Sequence, residues 1–157
     1  IMAIRKIRVN DDPILRKKSR EVTEFDERLF TLLDDMRETL AKSDGIGLAA
    51  VQVGVLRRAV VVDLGDGVKE LINPSIVESS GEQRESEGCL SLPHKYGITV
   101  RPKTVTVRAQ NRNGSWCLYK GTDLAARCYC HELDHLDGKL YTDVLAPGEK
   151  VYFSKDN

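Results

Sequence analysis

The sequence lacks long hydrophobic runs and any excess of charge of one sign. No stretch reaches the roughly eighteen apolar residues of a membrane-spanning helix, so we expect no membrane partner. Lys and Arg together number 24, as do Asp and Glu, which gives a formal net charge of zero. Because binding to a phosphate backbone depends on basic residues, this balance does not favour a nucleic-acid partner.

Cysteine is also scarce, and the first residues do not resemble a leader. The four cysteines are too few for a disulfide-stabilised scaffold, and Cys128 and Cys130 are not expected to bridge each other. Residues 1–6 lack the apolar core of a signal peptide, and we expect Met2 to be the natural first residue. The sequence therefore predicts a single domain, residues 2–157, in a reducing, cytoplasmic setting.

An amphipathic helix is predicted near the N-terminus. The apolar residues that recur at helical spacing are Phe25, Leu29, Leu32, Leu33, Met36 and Leu40. Thr23 or Asp26 is expected to cap this helix, which should end near Lys42 and before Gly45.

The middle of the chain favours short strands joined by tight turns. The β-branched run at 59–62 predicts a buried strand, and a glycine-containing turn joins it to a second strand at 68–72. A third strand is expected at 76–78. The alternating segment 98–109 and the strand at 116–119 flank an Asn-Gly turn, which predicts a second hairpin.

A second helix is predicted from Thr122-Asp123 to about Asp137, with Gly138 as its stop signal. Hairpins dominate and no regular β-α-β alternation is present. The predicted class is therefore α+β, with short antiparallel strands packed around a central metal-binding C-terminal helix and with an N-terminal helix.

His131 and His135 are the candidate metal ligands on that helix. They are four residues apart, so they lie about 40° from each other around the helix axis and project from one face. Glu132 points roughly 100° away from His131, where a carboxylate can act as general base on a ligand water. The same pattern occurs on helices with a merely solvated polar face, so a third ligand decides between the two interpretations.

The residues after the helix do not supply that third ligand. No glutamate follows Glu149, and Tyr141 stands where metzincin-type peptidases carry a third histidine. Upstream, Cys89 lies in the segment 87–93, which we predict to be an irregular loop. Together with the two histidines, Cys89 would leave a fourth, tetrahedral position to water. The alternative is that Cys89 is an ordinary buried thiol.

Three segments resemble the signature motifs of the peptide deformylase family, in the same order. Residues 45–52, Gly-Ile-Gly-Leu-Ala-Ala-Val-Gln, are similar to the first motif, and residues 87–91, Glu-Gly-Cys-Leu-Ser, to the second. Residues 131–138, His-Glu-Leu-Asp-His-Leu-Asp-Gly, are similar to the third. The resemblance extends from about Ile4 to Pro147 and favours the compact bacterial type.

That resemblance implies a role for each matching residue. Cys89 and the two histidines would bind the metal, with Glu132 as the proton shuttle. The Gln52 side chain and the backbone N–H of Leu90 would donate hydrogen bonds to the formyl oxygen, where developing charge requires donors fixed in advance. Without the motif, Gln52 would be taken for an exposed polar residue.

The start of the first motif is a candidate peptide-binding segment. Gly45, Ile46 and Gly47 would let an extended peptide pair with the main chain, although so short a pattern by itself indicates only a turn. The methionine side chain would enter an apolar pocket formed by Ile46, Cys128 and Leu133. Cys128 is explained equally well as a small core-filling residue.

Four other residues with side chains that could bind a metal are not expected to do so. His94 has no spacing partner and is expected at the surface. Cys128 and Cys130 lie about 200° apart on a helix, which disfavours a structural zinc site with His131. Asp134 is expected either to orient a ligand or to pair with an arginine such as Arg101, and we favour a structural role.

The resemblance implies removal of the formyl group from the N-terminal methionine of new peptides, with release of formate. A thiolate ligand suits Fe²⁺, Zn²⁺, Ni²⁺ or Co²⁺, and Fe²⁺ is the expected native metal. A hydrolase with another acyl preference and a non-catalytic metal-binding homologue are the alternatives. Glu132 and Gln52 disfavour the second, because a binding module needs neither a base nor an oxyanion donor.

The expected partners are N-formylmethionyl nascent peptides in the bacterial cytoplasm. Some bacterial deformylases dock on the ribosome with a long basic C-terminal helix. The residues after Phe153 are too few for such a helix, so any ribosome association is expected to be transient.

Overall fold

The computed structural model describes residues 3–154, so the expected start at Met2 lies outside the described residues. Within this range the chain forms two α-helices, α1 (Glu27–Ala41) and α2 (Leu124–Leu136). The strands are β1 (Gly47–Ala49), β2 (Ala59–Asp63), β3 (Val68–Ser80), β4 (Gln83–Cys89), β5 (Leu92–Arg101), β6 (Thr104–Gln110), β7 (Trp116–Thr122) and β8 (Tyr152–Phe153). Short 3-10 helices span Pro13–Arg16, Ala50–Val53 and Tyr141–Val144. The predicted α+β class is confirmed.

The strands form two antiparallel sheets. Five strands pair in the order β1-β2-β3-β6-β7, and three pair in the order β4-β5-β8. Helix α2 contacts β1, β2, β6 and β7 of the larger sheet and β5 of the smaller one. The central helix therefore lies where side chains from both sheets can meet, as the sequence predicted.

Strand β2 is covered on both faces. Val60 and Val62 pack in the core cluster that contains α2, whereas Ala59 and Val61 pack in the cluster that contains α1. Successive side chains of a strand point to opposite faces, so a strand between two helices needs a continuous apolar run. The buried strand predicted at 59–62 is confirmed.

Both helices begin and end close to the predicted residues. The Asp26 carboxylate caps α1 by accepting a hydrogen bond from the Leu29 N–H at 3.1 Å. Beyond α2, Gly138 has a φ of 73°, and an added Cβ would lie 2.5 Å from the carbonyl oxygen of Arg16. Only glycine fits this turn without strain, which explains the helix stop. Neither helix is long and apolar enough to span a membrane.

Strand β3 corrects one prediction, because it is continuous where two strands were expected. The register shifts between Ile72 and Ser75, at Asn73, which has a φ of 52°. The Asn73 side chain hydrogen-bonds the N–H and the carbonyl of Val22 and the Gln110 side chain, each at 2.8 Å. These tertiary contacts stabilise a bulge, so the strand continues through Asn-Pro instead of ending there.

The segment 98–109 corrects a second prediction, because it contributes to two strands rather than one. Strand β5 ends at Arg101 in the smaller sheet, and β6 begins at Thr104 in the larger sheet. Pro102 lies between them and has no N–H to donate to a ladder. The second hairpin is therefore β6–β7, whereas β5 pairs with β4, a strand that was not predicted.

An ion cluster attaches α1 to the larger sheet. The buried Glu70 carboxylate of β3 accepts hydrogen bonds from Arg37 Nε at 2.6 Å and from Arg112 Nη2 at 2.6 Å. Arg112 also pairs with Asp34 at 2.8 Å. Burial alone would raise the pKa of Glu70, but the hydrogen bonds from Arg112 and Arg37 outweigh that effect and lower it. Glu70 is therefore charged in the folded protein over a wider pH range than in the unfolded chain.

Replacing Glu70 with glutamine is expected to lower the free energy of unfolding at pH 7 by about 1–3 kcal/mol, because three charge-assisted hydrogen bonds weaken, one from Arg37 and two from Arg112. A depressed folded-state pKa stabilises the fold above the unfolded value of 4.5 and loses this effect as the pH falls through the folded value. The difference between wild type and variant should therefore narrow below about pH 4.5 in denaturant titrations.

The matched control is Asp66→Asn, which removes a carboxylate from an exposed pair with Lys69. Its effect should be much smaller, since exposed pairs contribute little. A Glu70→Gln effect that does not change between pH 7 and pH 3 would contradict the assignment.

Candidate metal centre

Two elements, β4 and α2, bring Cys89, His131 and His135 together. Cys89 is the last residue of β4, and both histidines project from one face of α2. Their candidate ligand atoms all lie within 4.8 Å of one another, and the Cys89 Sγ is 3.3 Å from the His135 Nε2. The sequence predicted an irregular loop around Cys89, but the structure has a hairpin, with a tight turn at Leu90 and Ser91 between β4 and β5.

The donor set fits a divalent metal. Metal–sulfur bonds of about 2.3 Å and metal–nitrogen bonds of about 2.0–2.1 Å at a tetrahedral angle separate sulfur and nitrogen by about 3.6 Å. The observed 3.3 Å is close to that value. A thiolate with two imidazoles leaves one tetrahedral position for water, as a catalytic site requires.

Glu87 orients His131 from behind. The His131 Nδ1 lies 2.5 Å from the Glu87 Oε2, so the Nε2 is left to face Cys89 and His135. Glu87 also accepts hydrogen bonds from Thr99 Oγ1 at 2.8 Å and from Arg101 Nη2 at 2.8 Å. A carboxylate behind a ligand histidine fixes both its tautomer and its ring orientation.

The carboxylate of Glu87 is held in its charged form although it is buried. Burial alone would raise the pKa of Glu87, but the hydrogen bonds from His131 and Arg101 outweigh that effect and lower it to about 2. Arg101 is only 5% exposed and also pairs with Asp134, Nη1 to Oδ2, at 2.6 Å. The predicted Asp134–Arg101 pair is confirmed, and it braces the network that holds His131.

Glu132 lies next to the ligands and is almost completely buried. Its Oε1 has no hydrogen-bond partner among residues 3–154. Burial raises the pKa of Glu132 to about 7, against the opposing effect of His131. A carboxyl group with a pKa near neutrality, and an oxygen left for an outside partner, can accept and return a proton.

Gly47 makes room for this carboxylate. A Cβ added to Gly47 would lie 2.7 Å from the Glu132 Oε2 and 2.8 Å from its Cγ. A Cβ on Gly45 would lie 2.8 Å from the Leu90 side chain. The glycines of the first motif therefore permit close packing inside the site, a reason that the sequence did not reveal.

The Gln52 amide is held in one orientation. Gln52 is 1% exposed and follows β1 in a 3-10 helix. Its Oε1 accepts the Ala49 N–H at 2.9 Å, so its Nε2 must point the other way. There it donates to Ser91 Oγ at 3.0 Å and lies 3.7 Å from the Cys89 Sγ. The amide N–H group is thus directed at the metal centre.

A cleft of about 410 Å³ opens over these residues. Among the predicted substrate-binding residues, those that line it are Gly45, Ile46, Gly47 and Cys128. Leu90 lines it as well, and exposed His94 lies at its rim.

Leu133 lies elsewhere, buried in the core cluster under the larger sheet, and it is not among the residues that line the cleft. It follows His131 by two residues, about 200° around the helix, and therefore points away from the ligands. Cys128 belongs to the core cluster, as one interpretation predicted, and it also borders the cleft.

Sequence reasoning did not predict that Glu87, Ser91 and Thr99 support the site, and it gave Arg101 only as a partner of Asp134. Glu87 was part of the second motif but received no role. In a strand, residues two apart point to the same face, so Glu87 and Cys89 share a side of β4. Predicting β4 as a strand would have identified Glu87.

Replacing Gly47 with alanine is expected to lower kcat for the hydrolytic reaction about 100-fold, because the Cβ displaces the Glu132 carboxylate and small misplacements of a catalytic group are costly. Metal content should stay near that of the wild type, since Gly47 does not belong to the ligand cluster. Steady-state kinetics with metal analysis checks both quantities. The control is Gly45→Ala, whose added Cβ meets only the flexible Leu90 side chain, so its kcat should fall less. An equal loss of kcat in the two variants would contradict this role for Gly47.

A thiolate, two imidazoles and a buried carboxylate around one point of an α+β fold define a metal-dependent hydrolase. A family model described as polypeptide deformylase matches residues 4–151. The chain therefore belongs to the polypeptide deformylase family, as the three motifs predicted.

Known proteins similar to this chain agree with that family. The peptide deformylase of Alkaliphilus metalliredigens is 56% identical over 144 residues, which cover 92% of this chain and 98% of the relative. The crystal structure of a peptide deformylase from Legionella pneumophila has a TM-score of 0.89 at 44% identity, covering 92% of this chain and 88% of that one. Peptide deformylase from Thermotoga maritima has a TM-score of 0.89 at 41% identity, covering 92% and 99%.

Family and site together establish the activity. The chain is an enzyme with peptide deformylase activity, and formylated nascent peptides are the substrates that this activity implies. The centre formed by Cys89, His131 and His135 is the Cys-His-His metal site that such an enzyme requires. The predicted hydrolase function and the predicted metal site are confirmed.

Proposed function

We propose that Glu132 is the general base and general acid of deformylation. It accepts a proton from the water that attacks the formyl carbon, and it returns that proton to the amine as the C–N bond breaks and formate leaves. Its burial beside the ligands and its unpartnered Oε1 support this role. The main support for the proposal is that Glu132 lies beside the cluster of Cys89, His131 and His135.

Gln52 and the backbone N–H of Leu90 stabilise the negative charge that develops on the formyl oxygen. The Nε2 of Gln52 is directed at the centre before substrate arrives, because Ala49 and Ser91 hold the amide in place. Leu90 begins the turn directly after Cys89, so its main chain lies beside the same point. Donors fixed in advance cost no reorganisation during the reaction, and one of them contributes about 3–4 kcal/mol.

Cys89, His131 and His135 would hold a divalent metal, and Fe²⁺ is our proposal for the native ion. When bound, such a metal polarises the formyl oxygen and lowers the pKa of water. The soft thiolate ligand also accepts Zn²⁺, Ni²⁺ or Co²⁺, which are expected in some preparations.

The substrate peptide lies in the cleft in an extended conformation. Its main chain pairs with the segment formed by Gly45, Ile46 and Gly47, which lines the cleft and leads into β1. The methionine side chain packs against Ile46 and Cys128, the apolar members of the predicted pocket that border the cleft.

The enzyme acts as a single catalytic domain, residues 2–157, in the bacterial cytoplasm. Its substrates are nascent peptides, and relatives such as the peptide deformylase of Alkaliphilus metalliredigens are bacterial, which supports this location. Contact with the ribosome is transient, and the balanced net charge gives no general attraction to nucleic acid.

The experiment that tests the function is an anaerobic assay of formate release from formyl-Met-Ala-Ser, using Fe²⁺-loaded and Zn²⁺-loaded protein. We expect formate from both, faster with Fe²⁺. Protein that retains metal but releases no formate would overturn the deformylase assignment. Equal rates on acetyl-Met-Ala-Ser would instead favour a hydrolase with a broader acyl preference.

Cys89→Ala is expected to lose its metal during dialysis, because only two imidazoles remain as ligands. Metal content measured by atomic absorption checks this, with Cys117→Ala as the matched control. Cys117 is a thiol on β7 that does not belong to the ligand cluster. Unchanged metal content in Cys89→Ala would remove Cys89 from the ligand set.

A further inference from the structure

Arg127 is the only lysine or arginine among the described residues that line the substrate cleft. Three carboxylates also line it, those of Asp44, Glu87 and Glu132. Glu87 is engaged by Arg101 and His131, and Glu132 is buried beside the metal ligands. The charged side chains that are left to contact a bound peptide are those of exposed Asp44 and half-buried Arg127.

A fixed neutral side chain holds Arg127 in place. Its Nη1 donates to the Gln83 Oε1 at 2.8 Å. Gln83 is buried, and its own Nε2 donates to the carbonyl oxygens of Pro102 and Asp123, each at 2.9 Å. The oxygen of the Gln83 amide must therefore point at Arg127, which positions the guanidinium without neutralising it.

The remaining donors of Arg127 have no acceptor within the described part of the chain. No carboxylate between residues 3 and 154 forms an ion pair with it, whereas Arg101 and Arg112 each pair with two. A guanidinium presents its donors as a planar fork that matches a carboxylate. Arg127 is thus a positioned carboxylate-binding group that the protein itself does not use.

The position of Arg127 places it beside the peptide rather than beside the reacting group. It precedes His131 by four residues, so both side chains project from one face of α2, about 6 Å apart along the axis. An extended peptide advances about 3.3 Å per residue, so one helical turn corresponds to about two residues. For a peptide that runs along α2 from the metal centre, beside the contacting strand β1, Arg127 lies next to the residues that follow the formylated methionine.

We infer that Arg127 is a specificity-determining residue that binds an acidic side chain at the second or third position of the substrate. This inference rests on the proposed binding of an extended peptide in the cleft. The expected effect is a preference of about three- to fivefold in kcat/KM for Asp over Asn at one of these positions, expressed mainly in KM.

The test compares four peptides, all amidated at the C-terminus so that only a side chain offers a carboxylate. They are formyl-Met-Asp-Ser-NH2 and formyl-Met-Ala-Asp-NH2, each with its Asn counterpart. The Asp/Asn ratio of kcat/KM is measured for wild type, Arg127→Gln and Arg127→Lys. The ratio is internal to each protein, so a general loss of activity does not affect it.

Wild type should prefer Asp at one position, Arg127→Gln should bring the ratio close to one, and Arg127→Lys should retain part of it. The preference should also fall between about 0.1 M and 1 M salt, because the contact is near solvent. Arg84→Ala removes the same charge from the exposed surface of β4, outside the cleft, and should leave the ratio unchanged.

A wild-type ratio of one at both positions, or the same ratio in wild type and Arg127→Gln, would overturn the inference. Protein that releases no formate from any of the peptides would instead count against the proposed function, so the two failures are distinguishable.

Discussion

Glu132→Gln is expected to lower kcat for formate release by about 10²–10⁴-fold, because the amide cannot accept the proton of the attacking water. Glutamine has nearly the shape of glutamate, so its contact with Gly47 is preserved and the site should keep its packing. Metal content should equal that of the wild type, since Glu132 does not belong to the ligand cluster. Steady-state kinetics and atomic absorption on the same samples measure the two quantities.

The matched control for this variant is Glu85→Gln, the same change at an exposed position of β4 outside the cleft. It should have nearly wild-type kcat. If Glu132→Gln retains its metal and keeps more than about a tenth of wild-type kcat, Glu132 is not the general base.

Glu87→Ala is expected to have the largest effect on stability, with a loss of about 3–5 kcal/mol in the free energy of unfolding. The change leaves Arg101, which is 5% exposed, with Asp134 as its remaining carboxylate partner. It also removes the acceptor of His131, so metal affinity should fall about 10–100-fold. Denaturant unfolding and metal titration measure these effects.

Asp134→Asn separates the loss of stability from the loss of metal affinity. It weakens one contact of Arg101 without touching the Glu87–His131 contact, so it should lose some stability and keep its metal affinity. If Glu87→Ala does not fold, Glu87→Gln keeps the shape and should still weaken metal binding. Wild-type metal affinity in both Glu87 variants would show that His131 does not depend on this support.

The fold could be predicted where local pattern and tertiary environment agree. The apolar stripe of α1, the run in β2 and the glycine stop after α2 each express a single local rule, and each is present in the structure. β4 could not be predicted, because its sequence, Gln-Arg-Glu-Ser-Glu-Gly-Cys, has almost no apolar residues. Its pairing with β5 and the buried partners of Glu87 hold it in the fold instead.

The separation of β5 from β6 at Pro102 could not be predicted either. Residues 98–101 and 104–109 continue one alternating pattern, since both lie in half-buried strands. The sheet that each strand joins depends on its partner strands. The first segment, in β5, pairs with β4, whereas the second, β6, pairs with β3 and β7. Periodicity reports burial, and it carries no information on the partner strand.

By itself, the sequence determined that the candidate ligands His131 and His135 share one face of α2, because a spacing of four residues places two side chains on the same side of a helix. With the motif resemblance, it also determined the third ligand, Cys89, and the class of reaction. The tertiary structure alone decided how these groups are supported. It placed Glu87 behind His131 and directed the Gln52 amide at Ser91. These contacts join residues far apart in the chain, and such pairings follow from packing, which no local pattern encodes.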